Sequence, residues 1–247
     1  MNIINGERRG QWLAALVLGL ALVASSWIWG RSFLAARSVG EGLTVKGYAE
    51  LPAVSTLAVW RGGIQARHAE LGEAARRLEE QGRRVEAWLQ AQGVAANEWE
   101  WLPLTSWTIY RQDVHGTPTA TVEAWQLERP LRLQSSRVAE VAALARRTEE
   151  LLREGVAWNS QPPEYFLGSL EEMKLELLGK AAADARRRAE ILAGGGRRLG
   201  GLTAARQGIL QVTPPNSVEV ADYGMYSTES IDKMVKAVVT VTFALKP

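Results

Sequence analysis

Cysteine is absent from the 247 residues. Disulfides, thiolate zinc sites, iron–sulfur clusters and cysteine nucleophiles are therefore excluded, while an oxidising and a reducing compartment both remain open. Histidine is nearly absent as well. His68 and His115 are the only two, without the i,i+4 spacing of a zinc-protease helix and without the hydroxyl and acidic company of a Ser-His-Asp arrangement. No sign of charge dominates: Lys+Arg 29 against Asp+Glu 27 leaves +2, too weak a field to hold a phosphate backbone, so no nucleic acid partner is expected. Gly 23 and Pro 9 show no linker-like or collagen-like excess. What is present, 47% apolar and 23% charged residues, is the composition of a globular chain of one or two domains.

One local run departs from that average. No charged residue occurs between Arg9 and Arg31, and Trp12 to Trp29 is almost wholly apolar. An 18-residue helix rises about 27 Å, near the roughly 30 Å hydrocarbon core, with Trp12 at one interface and Trp27 and Trp29 at the other. The expectation is an uncleaved single-pass transmembrane anchor. A cleaved signal peptide is the alternative, with Ala35-Ala36 downstream as a small-residue site. Arg8 and Arg9 on one flank balance Arg31, Arg37 and Lys46 on the other, so charge counts do not orient the span. Residues 1–37 form the stub and anchor in this reading, and 38–247 a soluble domain with lobes at about 43–129 and 130–247.

Within the soluble part, Leu43 to Ala49 and Val54 to Trp60 read as strands separated by Pro52, with Gly62-Gly63 ending the second. Leu71, Ala75, Leu78, Gly82, Val85 and Leu89 then mark one face of a helix stopped by Gly93, with His68 at its start. Its other face, from Glu73 to Glu86, mixes charges as a solvated surface does. Trp99 to Leu104, Ser106 to Gln112 and Thr119 to Arg129 read as strands, the last two flanking a turn that holds His115. Val138, Val141, Ala145, Thr148 and Leu152 give a second helical stripe closed by Gly155, and Val156 to Trp158 one more strand. A capping box at Ser169 and Glu172 opens a third helix, with Leu170, Met173, Leu177, Ala181, Ala185 and Leu192 on its buried side and Gly194-Gly-Gly196 at its end. Ile209 to Val212 and the alternating run Val235 to Leu245 complete the strands, the last returning to the first sheet. The fold class is α+β, with antiparallel sheets and long amphipathic helices.

Several of these segments resemble the SIMPL-domain family of bacterial envelope proteins, the periplasmic immunogenic protein-like group. They are Thr44-Val-Lys-Gly47-Tyr-Ala-Glu50, the helix ending Leu89-Gln-Ala-Gln-Gly93, Tyr165-Phe166, Leu170-Glu-Glu-Met-Lys174, Ala181-Ala-Ala-Asp184-Ala-Arg186-Arg-Arg188-Ala-Glu190, Leu199-Gly200 and Arg206-Gln-Gly208. The glycine triplet 194–196 before Arg197-Arg198 departs from the pattern of relatives. The resemblance implies an extracytoplasmic domain on the cytoplasmic (inner) membrane, a tendency to form homo-oligomers that include rings, and a connection to envelope or oxidative stress. It carries no catalytic residue set.

Glu171 and Glu172 are adjacent on a helix and point apart, which suits the helix dipole better than acid–base work. The triplet 194–196 follows a helix, the reverse of a phosphate loop, and no Lys-Ser/Thr pair follows it. Arg186-Arg187-Arg188 lies between Asp184 and Glu190, as a solvated face does. Seven tryptophans, Trp60, Trp88, Trp99, Trp101, Trp107, Trp125 and Trp158, serve core or interface. No catalytic, cofactor-binding or metal residue is expected, and the ligand is unknown. The resulting expectation is a non-enzymatic, tethered, self-assembling envelope protein, with a monomeric ligand-binding or stress-protection module as the alternative.

Overall fold

In a computed structural model, the described residues are 16, 19–32, 42–194, 196–217 and 224–246. The expected span from Trp12 to Trp29 lies partly outside them. Residues 19–32 are helical and exposed. Among the described residues no helix is long and apolar enough to cross a membrane. The rest is α+β with antiparallel sheets, as the alternating runs require.

The strands are β1 (Gly42–Val54), β2 (Leu57–His68), β3 (Trp99–Trp101), β4 (Thr105–Gln112), β5 (Pro118–Ser135), β6 (Trp158–Ser160), β7 (Glu164–Phe166), β8 (Arg198–Gln207), β9 (Gln211–Thr213) and β10 (Asp232–Lys246). The helices after residue 42 are α1 (Leu71–Ala91), α2 (Val138–Arg146), α3 (Glu149–Arg153) and α4 (Leu170–Ala193). One sheet runs β1-β10-β8, with β9 also on β10; the other runs β3-β5-β2-β6, with β4 on β5 and β7 on β2. The last strand does pair with the first.

Two compact units result, neither a continuous stretch of sequence. The first takes residues 1–49, 178–208 and 238–247; the second takes 50–177 and 209–237. In the first, the carboxyl-terminal part of α4 lies on the sheet. Ala181, Ala185 and Ala189 are its fully buried residues there, and Val45, Ala49, Val239, Val241 and Phe243 are buried on the strands. All the helix contacts are small because Gly47 brings β1 close: a Cβ at Gly47 would stand 2.0 Å from Ala181 O and 2.6 Å from Ala185 N.

The second unit is built by volume. Long antiparallel pairing of β2 with β5, from Ala58↔Ser135 to His68↔Trp125, makes a platform for α1. Trp60, Ile64, Leu131 and Leu133 from the strands meet Leu78, Val85, Trp88 and Leu89 from the helix, with Val141, Leu144 and Leu151 closing the core. The helix stops as expected at Gly93, whose φ of +73° suits glycine. Its charged face is laced by Arg76 to Glu73 and Glu80, Arg77 to Glu73, and Arg83 to Glu79.

Five local readings need correction. Pro52 lies inside β1, and β2 runs through Gly62-Gly63 rather than stopping there, because Trp158 covers the strand: a Cβ at Gly62 would stand 2.1 Å from its Cζ2. His68 ends β2 instead of opening α1. The second helical stripe breaks at Arg147-Thr148 into α2 and α3, which exposes Leu152 and buries Leu151. Leu192 is exposed, since burial along α4 follows the four-residue step 177, 181, 185, 189. In addition, β8 is a full strand in a segment with no sequence signal of one.

Candidate functional site

Clustered charge lines a cavity in the second unit. The cavity, of about 180 Å³, lies where the loop after α1 meets the end of β5 and the start of α2. Val94, Leu133, Val141 and Leu144 form its apolar wall, and Glu98, Ser135, Arg137 and Arg147 its polar one. The polar groups are mutually engaged. Glu98 accepts from Arg137 Nη2 at 2.5 Å, from Ser135 Oγ at 2.5 Å and from the Ala95 N–H at 3.0 Å. Arg137 also donates to Glu140 and to Gly93 O, and Arg147 to Glu150 and Gln92. The Arg137 guanidinium, the Ser135 hydroxyl and the Ala95 amide hold the Glu98 carboxyl down at about 2 from its usual 4.5. A carboxylate locked in its charged form by three donors is a strap joining three segments. It is a poor general acid or base at neutral pH.

A second unusual group is Lys233, which points to the buried side of β10 and is 1% exposed. Its Nζ donates to Ser227 O at 2.7 Å, and burial pushes its pKa down against the opposing pull of Glu229. Lys236 on the opposite face of the strand donates to Ser217 O at 2.6 Å. Both lysines tie backbone carbonyls of the segment before β10. The indole N–H of Trp158 and the hydroxyl of Ser55 are buried without a partner among the described residues.

The residues weighed for chemistry in the sequence remain apart. His68 Nδ1 accepts from the Glu70 N–H at 3.1 Å at the end of β2. His115 sits in the β4–β5 turn, where its N–H donates to Asp113. Glu171 pairs with Lys174 on α4, Arg186 with Glu190, and Arg187 and Arg188 with Asp184. Gly196, with φ of +132°, lies past the end of α4. Among the described residues no three His, Asp or Glu side chains are grouped to hold a metal ion. The Glu98–Arg137 strap carried no readable sequence signal, since its partners lie 39 residues apart, and the burial of Lys233 follows only from the packing of β10.

The tryptophans divide between core and surface. Trp60, Trp88 and Trp158 are buried, and Trp60 and Trp158 face each other at 5.6 Å. Trp99 and Trp101, which share a strand face, meet edge-on at 6.1 Å, and the Arg129 guanidinium lies over the Trp101 ring. Trp107 on β4 is 42% exposed.

Two of the segments that gave the family resemblance, those around Gly47 and Asp184, meet in the first unit at one contact. The Tyr48 N–H donates to Asp184 Oδ2 at 2.9 Å, beside the close approach of Gly47 to Ala181 and Ala185. Asp184 also takes Arg188 at 2.6 Å, and the Tyr48 amide foremost, then Arg188 and Arg187, keep its carboxyl below the usual range. These residues dock a helix on a strand, so the pattern they form marks a fold and leaves the chemistry open. No curated protein matches the chain. The family model of SIMPL, described as a protein of unknown function (DUF541), matches residues 43–243, and the chain belongs to that family.

Proposed function

We propose that this chain is a non-enzymatic, membrane-tethered protein whose α+β domain assembles with copies of itself on the extracytoplasmic side. The observation that carries the tether is the bare helix at residues 19–32. Leu20, Leu22, Val23, Trp27, Ile28 and Trp29 are each exposed by 60% or more, and water does not favour such a surface. Residues 19–32 rise about 21 Å against a roughly 30 Å hydrocarbon core, and the uncharged sequence continues upstream to Trp12. Arg31 lies over the Trp27 ring at 5.2 Å, an arrangement suited to the headgroup level. Tethering confines the copies and raises their effective concentration, so modest contacts suffice for assembly.

Carbonate washing of membranes from cells expressing the full chain tests the tether. The protein is expected to stay with the membrane, and a chain truncated before Val39 to leave it; recovery of the intact chain in the wash would refute the reading. The 180 Å³ cavity beside Glu98 favours the second reading, a monomeric ligand-binding module. A ligand that raises the thermal midpoint of wild type, and does so less after Ala143→Phe fills the cavity, would support it.

A further inference from the structure

Several strands among the described residues have an edge with no neighbour, and two of them differ in how that edge is protected. β8 ends the first sheet, and β4 pairs only with β5. Open edges are templates for another strand, and folded proteins blunt them with bulges, charge or short length. β8 is blunted in this way. Its ladder with β10 is interrupted between Thr242 and Phe243 and between Phe243 and Leu245, the surplus residues falling on β8 itself. Arg198 and Arg206 stand near its two ends.

β4 is less guarded, with no surplus residue of its own and a single charge, Arg111, near its end. Its ladder with β5 is irregular too, yet the surplus falls on β5: the partner steps from Ala124 to Val122 while β4 moves one residue, and from Val122 to Pro118 while β4 moves two. From Thr105 to Tyr110 β4 reads Thr-Ser-Trp-Thr-Ile-Tyr, without charge or proline and of high strand propensity. Beyond Ala124 the β4–β5 pair is a two-stranded ribbon, a marginal structure by itself. Trp107, Tyr110 and Val122 are exposed by more than 40%.

The direction of its backbone groups follows from the turn. The Asp113 N–H donates to Thr117 O, and Thr119 Oγ donates to Arg111 O, so odd residues of β4 face β5. Ser106, Thr108, Tyr110 and Gln112 therefore turn N–H and C=O to the outer edge, where no described residue bonds to them.

We infer that this edge pairs antiparallel with the same edge of a second copy, centred on Ile109. The inference rests on the self-association proposed above and names the surface. A twofold axis through an antiparallel pair runs perpendicular to the sheet and keeps each residue on its own face, so opposed residues must have numbers of equal parity. Centring on Ile109 meets that condition and matches all four outward residues: Ser106 with Gln112, and Thr108 with Tyr110, each twice. About eight backbone hydrogen bonds form. Trp107 lies opposite Arg111 of the other copy, a cation–π pair, Ile109 opposite Ile109, and no like charges oppose each other. Two marginal ribbons become one four-stranded sheet. This self-match is what selects a second copy as the occupant.

Because the chain has no cysteine, Ile109→Cys introduces a single one. In the proposed register the two Cα atoms are about 4.5 Å apart, within disulfide range. Mild oxidation of the full-length variant in detergent is expected to yield a covalent dimer, whereas Thr203→Cys on β8 remains uncrosslinked. Thr108→Pro removes an outward N–H and leaves the bonds to β5 intact, so the domain folds and the particle becomes smaller. An unchanged particle with Thr108→Pro and no crosslink with Ile109→Cys, from a wild type that is multimeric, overturns the edge pairing and spares self-association. A monomeric wild type overturns both.

Discussion

The two units solve the same problem, a helix on an antiparallel sheet, by opposite means. In the first, Gly47, Ala181, Ala185 and Ala189 bring backbone against backbone, and a carboxylate on the helix, Asp184, accepts a strand amide. In the second, Trp60, Ile64, Leu78, Val85, Leu89, Leu131 and Leu133 fill a wide interlayer space. Contact by small side chains gains little from apolar area and depends on the fit being kept. Contact by large ones gains from area and suffers when volume is removed. Few residue types satisfy a close approach, while many satisfy a bulky core, so the motif residues around Gly47 and Asp184 tolerate less change than the large core residues of the second unit.

Substitutions should separate the two regimes. The largest effect belongs to Trp60→Ala, which empties the centre of the second unit and also removes the indole bonds to Ser160 and Gln161. A loss of about 3–5 kcal/mol is expected in denaturant titration, with amide exchange accelerated first in β2 and β5. Next comes Gly47→Val, which forces a side chain into the space of Ala181 and Ala185. About 3 kcal/mol is expected, and exchange should rise in β1, β8 and the end of α4 while β2 and β5 stay protected. Equal loosening of both units would contradict the comparison. Asp184→Asn keeps the shape and removes the charge that Tyr48 N–H and Arg188 share, for about 1–2 kcal/mol.

The smallest effect is conditional on pH. Glu98 has its folded pKa lowered to about 2 from 4.5, so its stabilisation is fully present above about 4.5 and is lost as pH falls toward 2. Glu98→Gln should therefore cost about 1 kcal/mol at pH 7 and flatten the stability profile between pH 4.5 and 2. A variant with an unchanged acid limb would show that the strap does not hold the second unit.

Much of the architecture is legible in the residues, and the exceptions have specific causes. The middle of the α1 stripe from Leu78 to Leu89 and of the α4 stripe from Leu177 to Ala185, the turn at Asp113 to Pro118, the stops at Gly93 and Gly155, and the alternation of β10 rest on local rules that tertiary contacts did not override, whereas Leu71, Ala75 and Leu192 at the stripe ends are exposed. β8 escaped because Gly-Gly-Leu-Thr-Ala-Ala has low strand propensity and becomes a strand through pairing with β10. The continuation of β2 through Gly62-Gly63 depends on Trp158, almost a hundred residues later, and the Glu98–Arg137 strap depends on segments brought together only by folding. The candidate cavity has no linear motif, because its lining comes from the loop after α1, the end of β5 and the start of α2. The more and less guarded edges likewise emerge only from register, since the position of the surplus residues, on β8 in one ladder and on β5 in the other, is invisible before pairing is known.

The central claim, that confined copies of this chain assemble, is tested most directly by the mass of the full-length protein in detergent micelles or nanodiscs, followed over a hundredfold dilution. A discrete multimer that persists through most of that range is predicted. A single-chain mass at every concentration would contradict it.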